Sequence, residues 1–94
     1  MAAYSRDGKL LSKAAIPPGT DQCDFDQVTH SLACAASGKV TVLKLSATGQ
    51  LTTVAEFQAN EGVHTLAFDT KTGNIWIVWA QTDSDFVQQL SLGP

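Results

Sequence analysis

The 94-residue sequence is short of basic residues, cysteine and long apolar runs, and each shortage excludes a class of function. Six lysines and arginines are scattered against nine aspartates and glutamates, for a formal charge of −3. Nucleic-acid binding draws much of its affinity from neutralising phosphates, and no basic patch is present to do so. No apolar run approaches the ~18–20 residues that cross a bilayer, so no membrane partner is expected. The N-terminus, Met1 to Gly8, lacks the charged-then-apolar order of a secretory leader. The chain as it stands reads as soluble and cytoplasmic; a leader removed from a precursor would instead place it in the periplasm or outside the cell. Only two cysteines are present, and neither histidine stands at zinc-type spacing from them. No segment combines a 3.6-residue apolar period with helix caps. None matches a catalytic or cofactor signature, so neither a cofactor nor a bound metal is expected.

What is present is a folded composition, 44% hydrophobic and 16% charged, arranged as a repeat. From Val63 to Ala80, Leu66 and Phe68 alternate with Thr65, Ala67 and Asp69. A Thr-Lys-Thr-Gly turn follows, and then a continuous apolar run, Ile75-Trp76-Ile77-Val78-Trp79. That pattern predicts a hairpin whose second strand is buried on both faces. Gly73 supplies the left-handed residue of its turn. Cys23, Phe25, Asp26 and Leu32 stand 43 residues before Leu66, Phe68, Asp69 and Ile75. His30 then falls where Gly73 sits, and histidine is among the residues that tolerate positive φ. Asp7-Gly8-Lys9-Leu10 likewise precedes Thr48-Gly49-Gln50-Leu51 by 41 residues, as Ile16 precedes Phe57. A period of ~40–45 residues holding four short strands is the pattern of a β-propeller blade.

Segments such as Ala67 to Trp79 (AFDTKTGNIWIVW) and Ser37 to Leu45 (SGKVTVLKL) resemble the YVTN-type β-propeller repeats. The resemblance covers nearly the whole chain and is closest to the last two blades of such proteins. It specifies blade topology, not an activity. The chain has no Tyr-Val-Thr-Asn; Ile75-Trp76-Ile77-Val78 stands in its place. Members of that family normally close a ring within one chain, and two copies are too few to do so.

The expected fold is therefore all-β, two blades of four antiparallel strands in one unit spanning 1–94. Residues 1–16 supply an outer closing strand (Lys9 to Ile16), 17–57 a full blade, and 58–94 a second blade lacking its outer strand. The full blade is read as Gln22 to Asp26, Leu32 to Ala36, Val40 to Leu45 and Leu51 to Phe57. The incomplete one is read as His64 to Asp69, Ile75 to Ala80 and Phe86 to Leu92. Propellers have about 4–8 blades, so two blades need partners in a head-to-tail ring. The first expected partner is another copy of the chain, with a trimer favoured over a tetramer or dimer. A fragment of a longer propeller is the alternative.

Candidate sites follow from this frame. Cys23 faces Cys34 if Phe25 pairs with Leu32. A disulfide is conceivable, and two buried thiols acting as small apolar residues is the preferred reading. Asp24 lies on an inner strand, where it either faces the channel and holds a cation or accepts a hydrogen bond from the neighbouring blade's backbone. Asp26 and Asp69 cap turns. His64 opens an inner strand, either as a ligand or base or simply exposed. Trp79, near the end of its strand, either stacks on a sugar or packs between blades. The loops on one face gather Asp21, Glu61, His64, Asp83 and Asp85. A non-enzymatic binding or interaction module is the leading function, its small-molecule or glycan ligand unidentified. A metal-assisted, lactonase-like hydrolase and a lectin-like carbohydrate binder are the alternatives.

Overall fold

The computed structural model describes residues 1–92, and every regular element among them is a strand. These are β1 (Ala2–Tyr4), β2 (Leu10–Lys13), β3 (Gln22–Asp26), β4 (Ser31–Ala36), β5 (Lys39–Leu45), β6 (Leu51–Gln58), β7 (Thr65–Phe68), β8 (Ile75–Ala80) and β9 (Asp85–Leu90). They form three antiparallel sheets, ordered β1-β2, β3-β4-β5-β6 and β7-β8-β9. The protein is all-β, as expected. Among the described residues no helix is long and apolar enough to cross a membrane. The last two residues of the span read as a second blade, 93 and 94, lie outside the described residues.

The turns repeat as closely as the strands. In the β3–β4 turn the Asp26 carboxylate accepts from the Val28 amide at 3.0 Å and the Thr29 hydroxyl at 2.8 Å. In the β7–β8 turn the Asp69 carboxylate accepts from the Lys71 amide at 3.0 Å. Both aspartates thus cap the turns that follow them. Each turn also contains a left-handed residue, Gly73 at φ 76° and His30 at φ 55°. The β1–β2 and β5–β6 turns match in the same way. Gly8 donates to the Ser5 carbonyl and Gly49 to the Ser46 carbonyl, both at 3.0 Å. Lys9 and Gln50 donate to the hydroxyls of those same serines. β1 therefore stands to β2 as β5 stands to β6. The first sixteen residues hold a hairpin, where the sequence suggested one outer strand. Ala2-Ala3-Tyr4 is too short for alternation to reveal it.

The four-stranded sheet is the middle layer. On one face Ala33, Ala35, Val40 and Val42 are fully buried against Val63, Leu66, Ile75, Ile77 and Leu90 of the third sheet and its entry. On the other face Phe25, Leu32, Leu45 and Leu51 line a groove with Met1 to Tyr4. There Leu11 lies against Gly49, whose missing Cβ would fall 2.4 Å from a Leu11 methyl. The Ser12 hydroxyl also donates to the Gly49 carbonyl at 2.6 Å. β4 is consequently covered on both sides. β8 is not: Ile75 and Ile77 are buried, whereas Trp76 is 40% and Val78 43% exposed. The expectation that β8 is buried on both faces is corrected, because the third sheet ends the stack and nothing among the described residues covers its far side.

The third sheet meets the second along its inner edge. β7 pairs with β8 on one side only, which leaves alternate amides pointing outward. Side chains of β3 meet them. The Asp24 carboxylate accepts from the Phe68 amide at 2.9 Å, and the Gln22 side-chain oxygen accepts from the Leu66 amide at 3.3 Å and from the Thr65 hydroxyl. Gln22 and Asp24 lie two residues apart, so both project from the same face of their strand.

The register Cys23↔Cys34 and Phe25↔Leu32 is as expected, but the cysteines are not free. They form a disulfide, their Cα atoms 4.1 Å apart. This corrects the reading of two free thiols: opposite residues on neighbouring strands present their Sγ atoms to the same side, within bonding reach. The bond closes a short loop, and its reduction is expected to lower stability by about 2–3 kcal/mol in urea melts with and without reductant. Asp24→Ala strips the Phe68 amide of its partner and is expected to cost about 1–3 kcal/mol in the same assay. A loss under half a kcal/mol would show that Asp24 does not hold the sheets together.

Candidate functional site

The loops that enter β3, β5, β7 and β9 lie at one end of the stack. The Ala59 amide donates to the Gly38 carbonyl, and the Ser37 hydroxyl donates to the Glu61 carbonyl. Asn60 holds the next turn, its side-chain oxygen accepting from the Gly62 amide at 2.9 Å. Gly62 is wedged there: a Cβ would lie 3.3 Å from that oxygen and 3.5 Å from the Trp79 Cβ. Beside it opens a cleft of about 530 Å³, lined among others by His64, Thr65, Trp79, Asp85, Phe86 and Val87. Three of the residues singled out from the sequence, His64, Trp79 and Asp85, thus share one cleft.

A fourth joins them through a short polar contact. His64 Nδ1 lies 2.6 Å from the Asp21 carboxylate, both side chains more than half exposed. The carboxylate fixes which ring nitrogen carries the hydrogen and turns Nε2 away from it. Such an imidazole becomes a catalytic base when a hydroxyl or thiol sits on its other nitrogen. Among the described residues no hydroxyl or thiol is hydrogen-bonded to His64, and both cysteines are consumed in the disulfide. No three of the described histidines, cysteines, aspartates and glutamates gather where a metal could bind. The arrangement has the geometry to bind and orient a ligand.

The remaining candidates lie elsewhere. Both oxygens of Asp24 are engaged by backbone amides, one from Phe25 and one from Phe68 of the adjoining sheet. That is the backbone-bonding alternative of the two considered for it. Glu61 meets the Ser37 hydroxyl only through its main-chain carbonyl. Asp83 sits in the β8–β9 turn, in a separate hollow with Gln81, Thr82 and Ser84.

Trp79 is not an open stacking platform. Phe86 stacks on its ring with centroids 5.2 Å apart and planes at 15°. Its indole nitrogen is buried without a hydrogen-bond partner among the described residues. The indole open to solvent is Trp76, on the outer face of β8. Phe86 was missed as a site residue. The signal for it lies in the antiparallel register Trp79↔Phe86, hidden by the longer connection Gln81 to Ser84 that replaces the two-residue Ser37-Gly38 link.

Because the Asp21–His64 pair is exposed, Asp21→Ala is expected to cost less than about 1 kcal/mol in urea melts. A larger loss would make the pair a structural clamp. Comparison of the chain with protein-family models, with curated proteins and with solved structures returned no match.

Proposed function

We propose that this chain is a non-enzymatic interaction module: two YVTN-like propeller blades that act by stacking against further blades, first those of a second copy. One comparison within the molecule carries the reading. By register, Trp76, Val78 and Val87 occupy in the third sheet the places that Ala33, Ala35 and Val40 hold in the second. The second-sheet residues are 0% exposed, covered by the next sheet, whereas Trp76, Val78 and Val87 are 40%, 43% and 63% exposed. An apolar face at a position that the repeat buries elsewhere is a face that awaits a sheet. The opposite end of the stack offers the complementary vacancy, the groove lined by Phe25 and Leu32. Head-to-tail contact between the two ends generates a closed ring if the rotation permits, and a trimer with six blades fits the range of propellers.

The disulfide bears on where such an assembly works. A cross-strand Cys23–Cys34 bond supports an oxidising compartment, periplasmic or extracellular, over the cytoplasm.

Light scattering across a concentration series tests the assembly. The chain is expected to run as a multiple of its 10.0 kDa mass. Trp76→Glu and Val78→Glu, both at exposed positions, are expected to return it to one copy while keeping its circular dichroism. A wild-type chain that stays monomeric at high micromolar concentration would sink the reading.

A further inference from the structure

The Cys23–Cys34 bond begins a row of side chains that crosses the whole middle sheet. Cys23 stands opposite Cys34, Cys34 opposite Thr41, and Thr41 opposite Glu56. Residues opposite one another on neighbouring antiparallel strands point to the same side. All four therefore lie on the face that alternates with Ala33, Ala35, Val40 and Val42, away from the third sheet. Exposure falls and then rises along the row. Cys23 is exposed, Cys34 and Thr41 are buried, each 2% exposed, and Glu56 is exposed beside Lys39, their charged groups 3.5 Å apart. The Thr41 hydroxyl, between a buried sulfur and a carboxylate already paired, has no hydrogen-bond partner among the described residues.

This row suits thiol exchange. A disulfide exchanges when a thiolate attacks one sulfur and the other departs, faster when the departing thiolate is stabilised. In the folded chain the exposed sulfur is that of Cys23, so Cys34 is the one that leaves. A thiolate buried without a donor is costly, and Thr41 holds an uncommitted donor directly across from it. The same hydroxyl gains by the exchange. Buried without a partner it is destabilising, and a bonded sulfur is only a weak acceptor. A thiolate is a charged acceptor, and hydrogen bonds to charged groups are the strong ones.

We infer that Cys23 is an exchange site for dithiols, with Cys34 as the leaving sulfur and Thr41 as the residue that receives it. One sulfur of the dithiol, as thiolate, attacks the Cys23 Sγ. The Cys23–Cys34 bond breaks, its electron pair stays on the Cys34 Sγ, and the Thr41 hydroxyl donates a hydrogen bond to that sulfur. The second sulfur of the dithiol, its proton lost to water, then displaces the Cys23 Sγ from the mixed disulfide. The dithiol leaves oxidised, as a disulfide, and the protein disulfide is reduced. The two protons that the dithiol gave up return through water to Cys23 and Cys34. Thr41 is a positioning residue, since it acts on Cys34 and not on the dithiol.

Dithiothreitol is the probe, and free thiols are trapped with a maleimide and counted by mass spectrometry. The oxidised chain has no free cysteine among its described residues, so every trapped thiol reports the exchange. Reduction is expected to run at a rate that urea leaves unchanged below the unfolding transition. A rate that climbs with urea in step with unfolding would place the reaction in the unfolded chain and overturn the site. Phe25, on the same strand face as Cys23, lines the groove given above to a second copy. Rates are therefore taken on Trp76→Glu as well as on the wild type, which keeps Cys23 open if copies stack. Mixtures of reduced and oxidised dithiothreitol test Thr41. Thr41→Val is expected to lower the equilibrium constant for reduction roughly three- to tenfold, the size of one hydrogen bond, and Thr41→Ser to restore it. Urea melts separate this from a packing role: Thr41→Val is expected to be no less stable than wild type when both are oxidised, and less stable when both are reduced. An unchanged constant in Thr41→Val, an equal drop in Thr41→Ser, or equal losses in both redox states overturns the role of Thr41.

Discussion

The hydrogen bonds from β7 amides to β3 side chains determine how the rest of this structure is arranged. An edge strand leaves alternate amides without partners, and burying them unsatisfied costs about 1–3 kcal/mol each. A sheet normally meets that demand with another strand. Here the neighbour meets it with side chains, Asp24 onto Phe68 and Gln22 onto Leu66. This converts what would be a continuous sheet into two stacked ones. Stacking in turn requires the second sheet to present small residues beneath the joint, because a short aspartate reaches a backbone amide only if the sheets come close. Ala33 and Ala35, opposite Asp24 and Gln22 in register, meet that requirement.

Across the face of the middle sheet that meets the third, the alanines of β4 give way to the valines of β5. Val40 and Val42 continue the face across β5, and Leu66, Ile75, Ile77 and Leu90 fill the space from the other side. On the far face of the middle sheet the Cys23–Cys34 bond replaces the Leu66–Ile77 pair of the third sheet, position for position. A disulfide there ties the innermost hairpin together, with Cys34 buried and Cys23 exposed.

Much of this was legible because the repeat compares the sequence with itself. The order of strands β2 to β9, the Cys23↔Cys34 register, the left-handed His30 and the capping aspartates all follow from aligning one copy on the other, whereas β1 did not. What stayed hidden depends on contacts that no spacing encodes. Nothing near Asp24 in sequence names Phe68 as its partner, although a backbone bond to the neighbour was one of the two roles open to it. The choice between free thiols and a bond at Cys23 turned on an inferred compartment, a weaker guide than the register itself. The exposure of Trp76 was misjudged for a related reason. A run such as Ile75 to Trp79 says that both faces suit burial, and only the end of the stack says that one face has nothing over it. The cleft was half legible: His64, Trp79 and Asp85 were placed at one end by loop order, and Phe86 was not.

The two ends of the stack are not copies of its internal joint, and the difference constrains what can sit on them. Where the second sheet offers Ala33 to its neighbour, the third offers Trp76. Where the second offers Gln22 and Asp24, the third offers Thr65 and Ala67. Alanine accepts no hydrogen bond through its side chain, so the third sheet cannot bond a following edge strand as the second does. An indole in place of a methyl also holds the next layer farther off, or demands a hollow to receive it. At the opposite end of the stack, Phe25, Leu32, Leu45 and Leu51 line a hollow of about 380 Å³ together with Met1 to Tyr4. The face of the third sheet that meets Ala33 and Ala35 has no such hollow, being filled by Ile75 and Ile77. The order of layers within the chain is thus written into side-chain size: the alanines of the second sheet fit the internal joint, where an indole at the place of Ala33 would not.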